Sequence, residues 1–152
     1  MADPFKMEMG GDWAQGLDDL GEAIKEHLLR SGGNAMSEAF QAEAKARAPV
    51  FNGPRYFKHT KKGGYWVTPG QLRDSIYRVY AKGESNKNLA VYAVSWNHYK
   101  APHGYWMENG NSRHPAHPFI RPAYEAVKQS ALQVGIDRMR VRWAQVAPGV
   151  HA

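Results

Sequence analysis

The chain has 152 residues, 43% of them hydrophobic, with five Trp and eight Tyr, which is material for one core and one domain. It has no cysteine, which excludes a disulfide framework and a cysteine-ligated zinc site, and no apolar run reaches the ~20 residues of a membrane helix. The net charge of +6 is uneven: residues 1–30 hold 7 acids and 3 bases, a balance of −4, and the remainder holds 7 acids and 17 bases, a balance of +10. An acidic first segment on a basic body suits head-to-tail contact between copies, or a basic face turned to nucleic acid.

Residues 1–11 combine glycine, methionine and charge without a period and read as a flexible arm. They have neither the basic start nor the apolar centre of a signal peptide, and the absence of cysteine fits a reducing cytoplasm. From Asp12, a suitable N-cap, apolar residues fall at Trp13, Leu17, Leu20, Ile24 and Leu28, one face of a helix. Ser31-Gly32-Gly33-Asn34 is expected to interrupt it, with a glycine closing one helix and Asn34 opening the next. Ala35, Met36, Ala39, Phe40 and Ala44 carry the second helix to Ala48, and Pro49 ends it.

The stretch 51–69 is rich in glycine and proline and contains Arg55, Lys58, Lys61 and Lys62 but no acid. Tyr56, Phe57, Tyr65 and Trp66 interleave with these bases. A hairpin with a Lys-Lys-Gly-Gly tip is the expected shape. Aromatic rings beside lysines can stack on bases and neutralise phosphates. They also anchor protein interfaces, and the number of anchors here favours protein contact.

Leu72 opens a strand over 72–81, followed by a polar turn and a second, antiparallel strand over 89–96. Tyr105, Trp106 and Met107 are expected to begin a third strand. Asn109-Gly110-Asn111 is a turn, and the prolines of His114-Pro115-Ala116-His117-Pro118 impose a stiff extended connector. Pro122 suits the start of a last helix over 122–146, with Arg138, Arg140 and Arg142 near its end and Pro148 and Gly149 stopping it. The fold class is therefore α+β: a small antiparallel β-sheet packed against an N-terminal helical region and a long C-terminal helix. One domain spans 12–147, and 148–152 is a tail.

Two blocks carry a family resemblance. The first is E-N-G-N-S followed by H-P-A-H-P-F-I-R-P-A-Y-E, over 108–125. The second is A-K-A-R-A-P-V over 44–50 followed by G-Q-L-R-D-S-I over 70–76. Over 35–146 the chain resembles the head–tail joining proteins, also called neck or tail-completion proteins, of lambda-like long-tailed bacteriophages. In that family the two halves of the second block are close neighbours, so 51–69 stands here as an insertion. The resemblance implies a structural virion protein rather than an enzyme, made in the host cytoplasm and placed at the neck. Its copies would form a ring, expected to be six-fold, between the head-side connector and the tail terminator or tail tube, with DNA passing through.

On this reading Trp13, Tyr56, Phe57, Tyr65, Trp66, His114 and His117 are candidate contacts between subunits or with partners. Arg55, Lys58, Lys61 and Lys62 are candidate weak contacts to passing DNA. Glu108, Gly110, Pro115, Pro118, Phe119, Arg121 and Pro122 are expected to define the fold, with Glu108 accepting backbone N–H groups, Phe119 in the core and Arg121 in a structural hydrogen bond or ion pair. The alternative is a small histidine-metal nuclease or nucleic-acid-binding protein, since His98, His103, His114 and His117 lie close in sequence around Glu108. Spacing argues against it, because Pro-Ala between His114 and His117 points the two rings apart. No cofactor, metal or catalytic residue is expected.

Overall fold

The computed structural model describes residues 5–9, 22–59 and 63–146, with the backbone alone at 5–9, 22–23 and 58–59. Trp13, Lys61, Lys62, the first part of the expected N-terminal helix and the tail over 148–152 lie outside the described residues. The order of elements is β1 (Phe5–Met9), α1 (Glu22–Arg47), β2 (Arg55–His59), β3 (Gly63–Val67), α2 (Gln71–Ser75), β4 (Ile76–Tyr80), β5 (Ala90–Trp96), α3 (Gly104–Asn109) and α4 (Ile120–Val146). Helices with two small antiparallel sheets make an α+β fold, as the sequence led us to expect.

Four elements differ from the sequence reading, one of them α2, where the strand expected from Leu72 begins instead at Ile76. The first of the other three is α1, which is one continuous helix of 26 residues. It runs straight through Ser31-Gly32-Gly33-Asn34. Helix-interior glycine costs ~1 kcal/mol against alanine, so a packing reason is required, and one is present. A β-carbon at Gly32 would lie 2.7 Å from Met139 Cγ and 3.1 Å from the Gly135 carbonyl oxygen, and one at Gly33 would lie 2.8 Å from the Tyr92 ring. On the facing helix, a β-carbon at Gly135 would lie 2.5 Å from Met36 Cγ. The glycines are where α1, α4 and the sheet come closest, and tertiary contact overrides the local breaking tendency.

The second difference is at the N-terminal arm. Phe5–Met9 is not free but forms β1, paired antiparallel with β5 in the register Phe5↔Val94 to Met9↔Ala90. Methionine and phenylalanine alternate there with charge over too short a run to declare a strand without its partner. The third is at 104–109, where α3 replaces the expected third strand. Gly104 explains this in part, since its missing side chain leaves room for the Trp96 indole, whose Nε1 would be 2.4 Å from a β-carbon. The chain must therefore leave the sheet at that point, and a helical turn then brings Glu108 inward.

The main sheet has the order β1-β5-β4, with Tyr77↔Ser95 and Val79↔Ala93 among the β4–β5 pairs. Its β4 edge is closed at both ends by the chain itself. The Ile76 N–H donates to the Arg73 carbonyl, the Ile76 carbonyl accepts from Gln41 Nε2, and the Tyr80 carbonyl accepts from the Lys82 N–H. Such self-satisfaction blunts strand addition.

α1 touches both partners, the sheet and α4. Its lower half, with Phe40, Ala44 and Ala48, joins Leu72, Ile76, Val94, Trp96, Phe119, Ile120 and Ala123 in one cluster. Phe40 and Phe119 are fully buried, so truncating either to alanine should cost ~3–5 kcal/mol. Its upper half packs Leu29 and Met36 with Ala90, Tyr92 and Ala131. Tyr92 locks this end by donating its hydroxyl to the Arg30 carbonyl at 2.9 Å.

The second block of the resemblance forms a corner rather than the start of a long strand. Gly70 takes φ +79°, a conformation that suits glycine, and opens α2 over Gln71–Ser75 before β4 begins. Gln71 Oε1 accepts the Thr68 N–H at 2.9 Å while its Nε2 donates to the Lys100 carbonyl at 2.6 Å, tying the corner to the loop after β5. Leu72 anchors the corner in the core.

Candidate functional site

Residues 51–69 form the expected hairpin. β2 and β3 pair antiparallel in the register Arg55↔Val67, Tyr56↔Trp66 and Phe57↔Tyr65. Side chains alternate across a strand, so the four aromatics divide between two faces. Phe57 and Tyr65 turn inward and Tyr56 and Trp66 outward. Of the candidate contact residues, the structure thus leaves only the second pair on the hairpin surface.

The inward pair stacks on His103. The Phe57 ring lies 5.8 Å from the imidazole at 13°, Tyr65 lies 6.3 Å from it at 26°, and Phe51 adds a tilted ring at 6.0 Å. Phe57 and Tyr65 also stack on each other at 5.8 Å and 16°. His103 is 1% exposed, and among the described residues neither ring nitrogen has a hydrogen-bond partner. Burial holds its pKa below the ordinary 6.5, so it sits there as a neutral ring. Burial also pushes the Tyr65 hydroxyl, likewise without a partner, up to about 12. The sequence reading has His103, with His114 and His117, hydrogen-bonding loop backbone or lining a subunit interface; among the described residues neither His103 nitrogen makes such a bond, and the ring is held by stacking instead. Nothing in the local sequence foretold that it would become the floor beneath the hairpin.

The outward pair packs ring against ring across the hairpin. Tyr56 and Trp66 have ring centroids 5.4 Å apart, tilted by 55°. They are 51% and 65% exposed. Gly64 is required beneath them, since a β-carbon there would lie 2.3 Å from Tyr56 Cζ. Arg55 holds its guanidinium 4.9 Å over the Phe51 ring. The backbone of Lys58 is in β2.

The connector behaves as a support. Glu108, on α3 and 8% exposed, caps the start of α4 from outside that helix. Its Oε2 accepts the N–H groups of Phe119 at 2.8 Å and Ile120 at 3.0 Å, and its Oε1 accepts the Arg121 N–H at 3.2 Å. These are orphan donors of the first turn, and a carboxylate also complements the helix dipole. Arg121 Nε lies 4.0 Å from Oε1 while 74% exposed, a weak ion pair beside a strong set of hydrogen bonds. α4 begins two residues before Pro122, which occupies the first turn, where no N–H is needed.

Gly110 takes φ +74°, and a β-carbon there would lie 2.8 Å from the Ala116 nitrogen. Asn111 Oδ1 accepts the N–H groups of Arg113 and His114, and the His117 N–H donates to the Met107 carbonyl at 2.7 Å. Pro115 and Pro118 lie in exposed chain without regular secondary structure, and the side chains of His114 and His117 are exposed as well. Among the described residues no group of three or more His, Asp or Glu side chains is placed to hold a metal ion. Nor is any helix among them long and apolar enough to cross a membrane.

No family model, curated protein or solved structure matches this chain.

Proposed function

We propose that this chain is a structural component of a bacteriophage neck, whose copies form a ring joining the head connector to the tail while DNA passes through. The observation that supports it best is the use made of the block over 108–125. Its Glu108 carboxylate is spent on three backbone N–H groups at the start of α4, and its glycine and asparagine fold the turn. Glu108, Gly110 and Asn111, which carry much of the resemblance, serve the fold, as a scaffold requires.

A ring needs a heterologous interface, two different patches on each copy that repeat around a closed rotation. An acidic first segment and a basic body provide patches of opposite sign. The lumen of such a ring needs only weak, sequence-independent attraction to phosphate, because tight binding would retard DNA. Copies would be made in the host cytoplasm and carried in the virion, against the head-side connector and the tail terminator or tail tube.

The test is assembly. Mass photometry and negative-stain imaging of the purified chain, alone and with phage heads or tails that lack a neck, should show rings or ring-capped particles. Chains that stay monomeric and bind neither particle defeat the proposal. Bound metal at stoichiometric level, with plasmid nicking lost in His114→Ala and His117→Ala, would replace it with the nuclease alternative.

A further inference from the structure

We propose that the outer face of the β2–β3 hairpin, centred on Tyr56 and Trp66, is the docking surface for a second copy of this chain, which it engages through that copy's acidic first 30 residues. This rests on the ring reading above and names one contact within it.

As a cross-strand pair Tyr56 and Trp66 steady the hairpin itself, but they do not hold it to the body. Its attachment to the body is made by the opposite face, where Phe57 and Tyr65 stack on His103 and Phe51 closes the side. Tyr56 and Trp66 pack on each other, Tyr56 also over Gly64, and both are half or more exposed. Tyrosine and tryptophan anchors of this kind dominate binding energy at protein interfaces. The stacked underside also matters for affinity. A hairpin already held by three rings has little freedom left to lose when a partner arrives.

Charge selects the partner. The stretch 51–69 carries Arg55, Lys58, Lys61 and Lys62 and no acid, whereas residues 1–30 of the same chain carry 7 acids against 3 bases. The two regions are different, so one copy's hairpin meeting the next copy's acidic region gives a head-to-tail contact that can repeat. Nucleic acid is the competing occupant, and the ring geometry disfavours it. At 5.4 Å and 55° the two outward rings cover part of each other rather than standing apart to take a base between them. Arg55, next to Tyr56 in sequence, is drawn over the Phe51 ring.

The experiment compares four full-length chains by mass photometry and sedimentation: the parent, Y56S/W66S, K61E/K62E and D18K/D19K. Self-association of the parent should weaken about tenfold or more in Y56S/W66S, with the melting temperature held within a few degrees because both side chains are exposed. K61E/K62E and D18K/D19K should each fail to associate alone. An equimolar mixture should associate, because each now offers the charge the other lacks. That rescue cannot come from misfolded chains. Parent-like assembly of Y56S/W66S overturns this contact and leaves the neck reading standing. A parent that stays monomeric, or that shifts a DNA duplex in a Trp66-dependent way without associating, also overturns it. Hairpin-dependent oligomers that never attach to heads or tails uphold the contact and defeat the neck reading.

Discussion

At the scale of the residue, Glu108 and His103 are opposite solutions to burying a polar group. Glu108 is satisfied by three N–H donors that α4 would otherwise leave orphaned. Removing a charged acceptor from buried donors costs ~1.5–3 kcal/mol. Glu108→Ala should therefore lower unfolding stability by about that much in urea titration, and Glu108→Gln, which keeps one acceptor oxygen, by less. Arg121→Ala should cost about 0.5 kcal/mol or less, because the ion pair is long and its cation mostly in water. Among the described residues His103 has no hydrogen-bond partner at either nitrogen, and burial disfavours its charged form. Its folded pKa lies below the unfolded value of 6.5. The unfolded chain thus takes up a proton first as pH falls, and stability is full above 6.5 and declines below it toward the folded pKa. His103→Phe removes two unsatisfied polar atoms and should flatten that dependence in melting curves taken between pH 7 and pH 5. Undiminished pH sensitivity in the variant would place the titrating group elsewhere.

At the scale of the element, the glycine crossing of α1 and the division of hairpin faces decide the architecture. Gly33 faces the Tyr92 ring, which cannot retreat because its hydroxyl is bonded to the Arg30 carbonyl. Gly33→Ala should gain ~1 kcal/mol in helix propensity and lose ~1–3 kcal/mol to overpacking. A net loss is expected, read as a lower urea midpoint. Gly53→Ala is the control, since a β-carbon there meets nothing within 4 Å, and its effect should stay within ~0.5 kcal/mol. A stabilised Gly33→Ala would mean that α1 and the sheet can part without cost.

At the scale of the whole molecule, charge asymmetry sets the conditions of assembly. If acidic and basic regions of neighbouring copies meet at the surface, association weakens as salt rises from about 0.1 to about 1 M and screening shortens from ~10 to ~3 Å. The aromatic part of the contact is insensitive to that change, so the loss should be partial. Sedimentation across the salt series measures both parts, and complete insensitivity would remove charge from the account of partner choice.

The hydrophobic periods, the turn residues and the prolines determined by themselves that this chain is α+β, with a hairpin at 51–69, antiparallel strands on either side of the turn at 81–89, a stiff connector and a long last helix. Those features depend on neighbours in sequence, where propensity and steric restriction act directly. Tertiary structure alone decided that α1 would cross two glycines unbroken, that Phe5–Met9 would join the sheet, that 104–109 would coil into a helix, and that His103 would lie under the hairpin. Each of these is set by a partner far away in the chain: Gly135 and Tyr92 for the glycines, β5 for the arm, Trp96 for Gly104, Phe57 and Tyr65 for the histidine. Contacts at such separation leave no period to read, because the residues that make them become neighbours only once the core has closed.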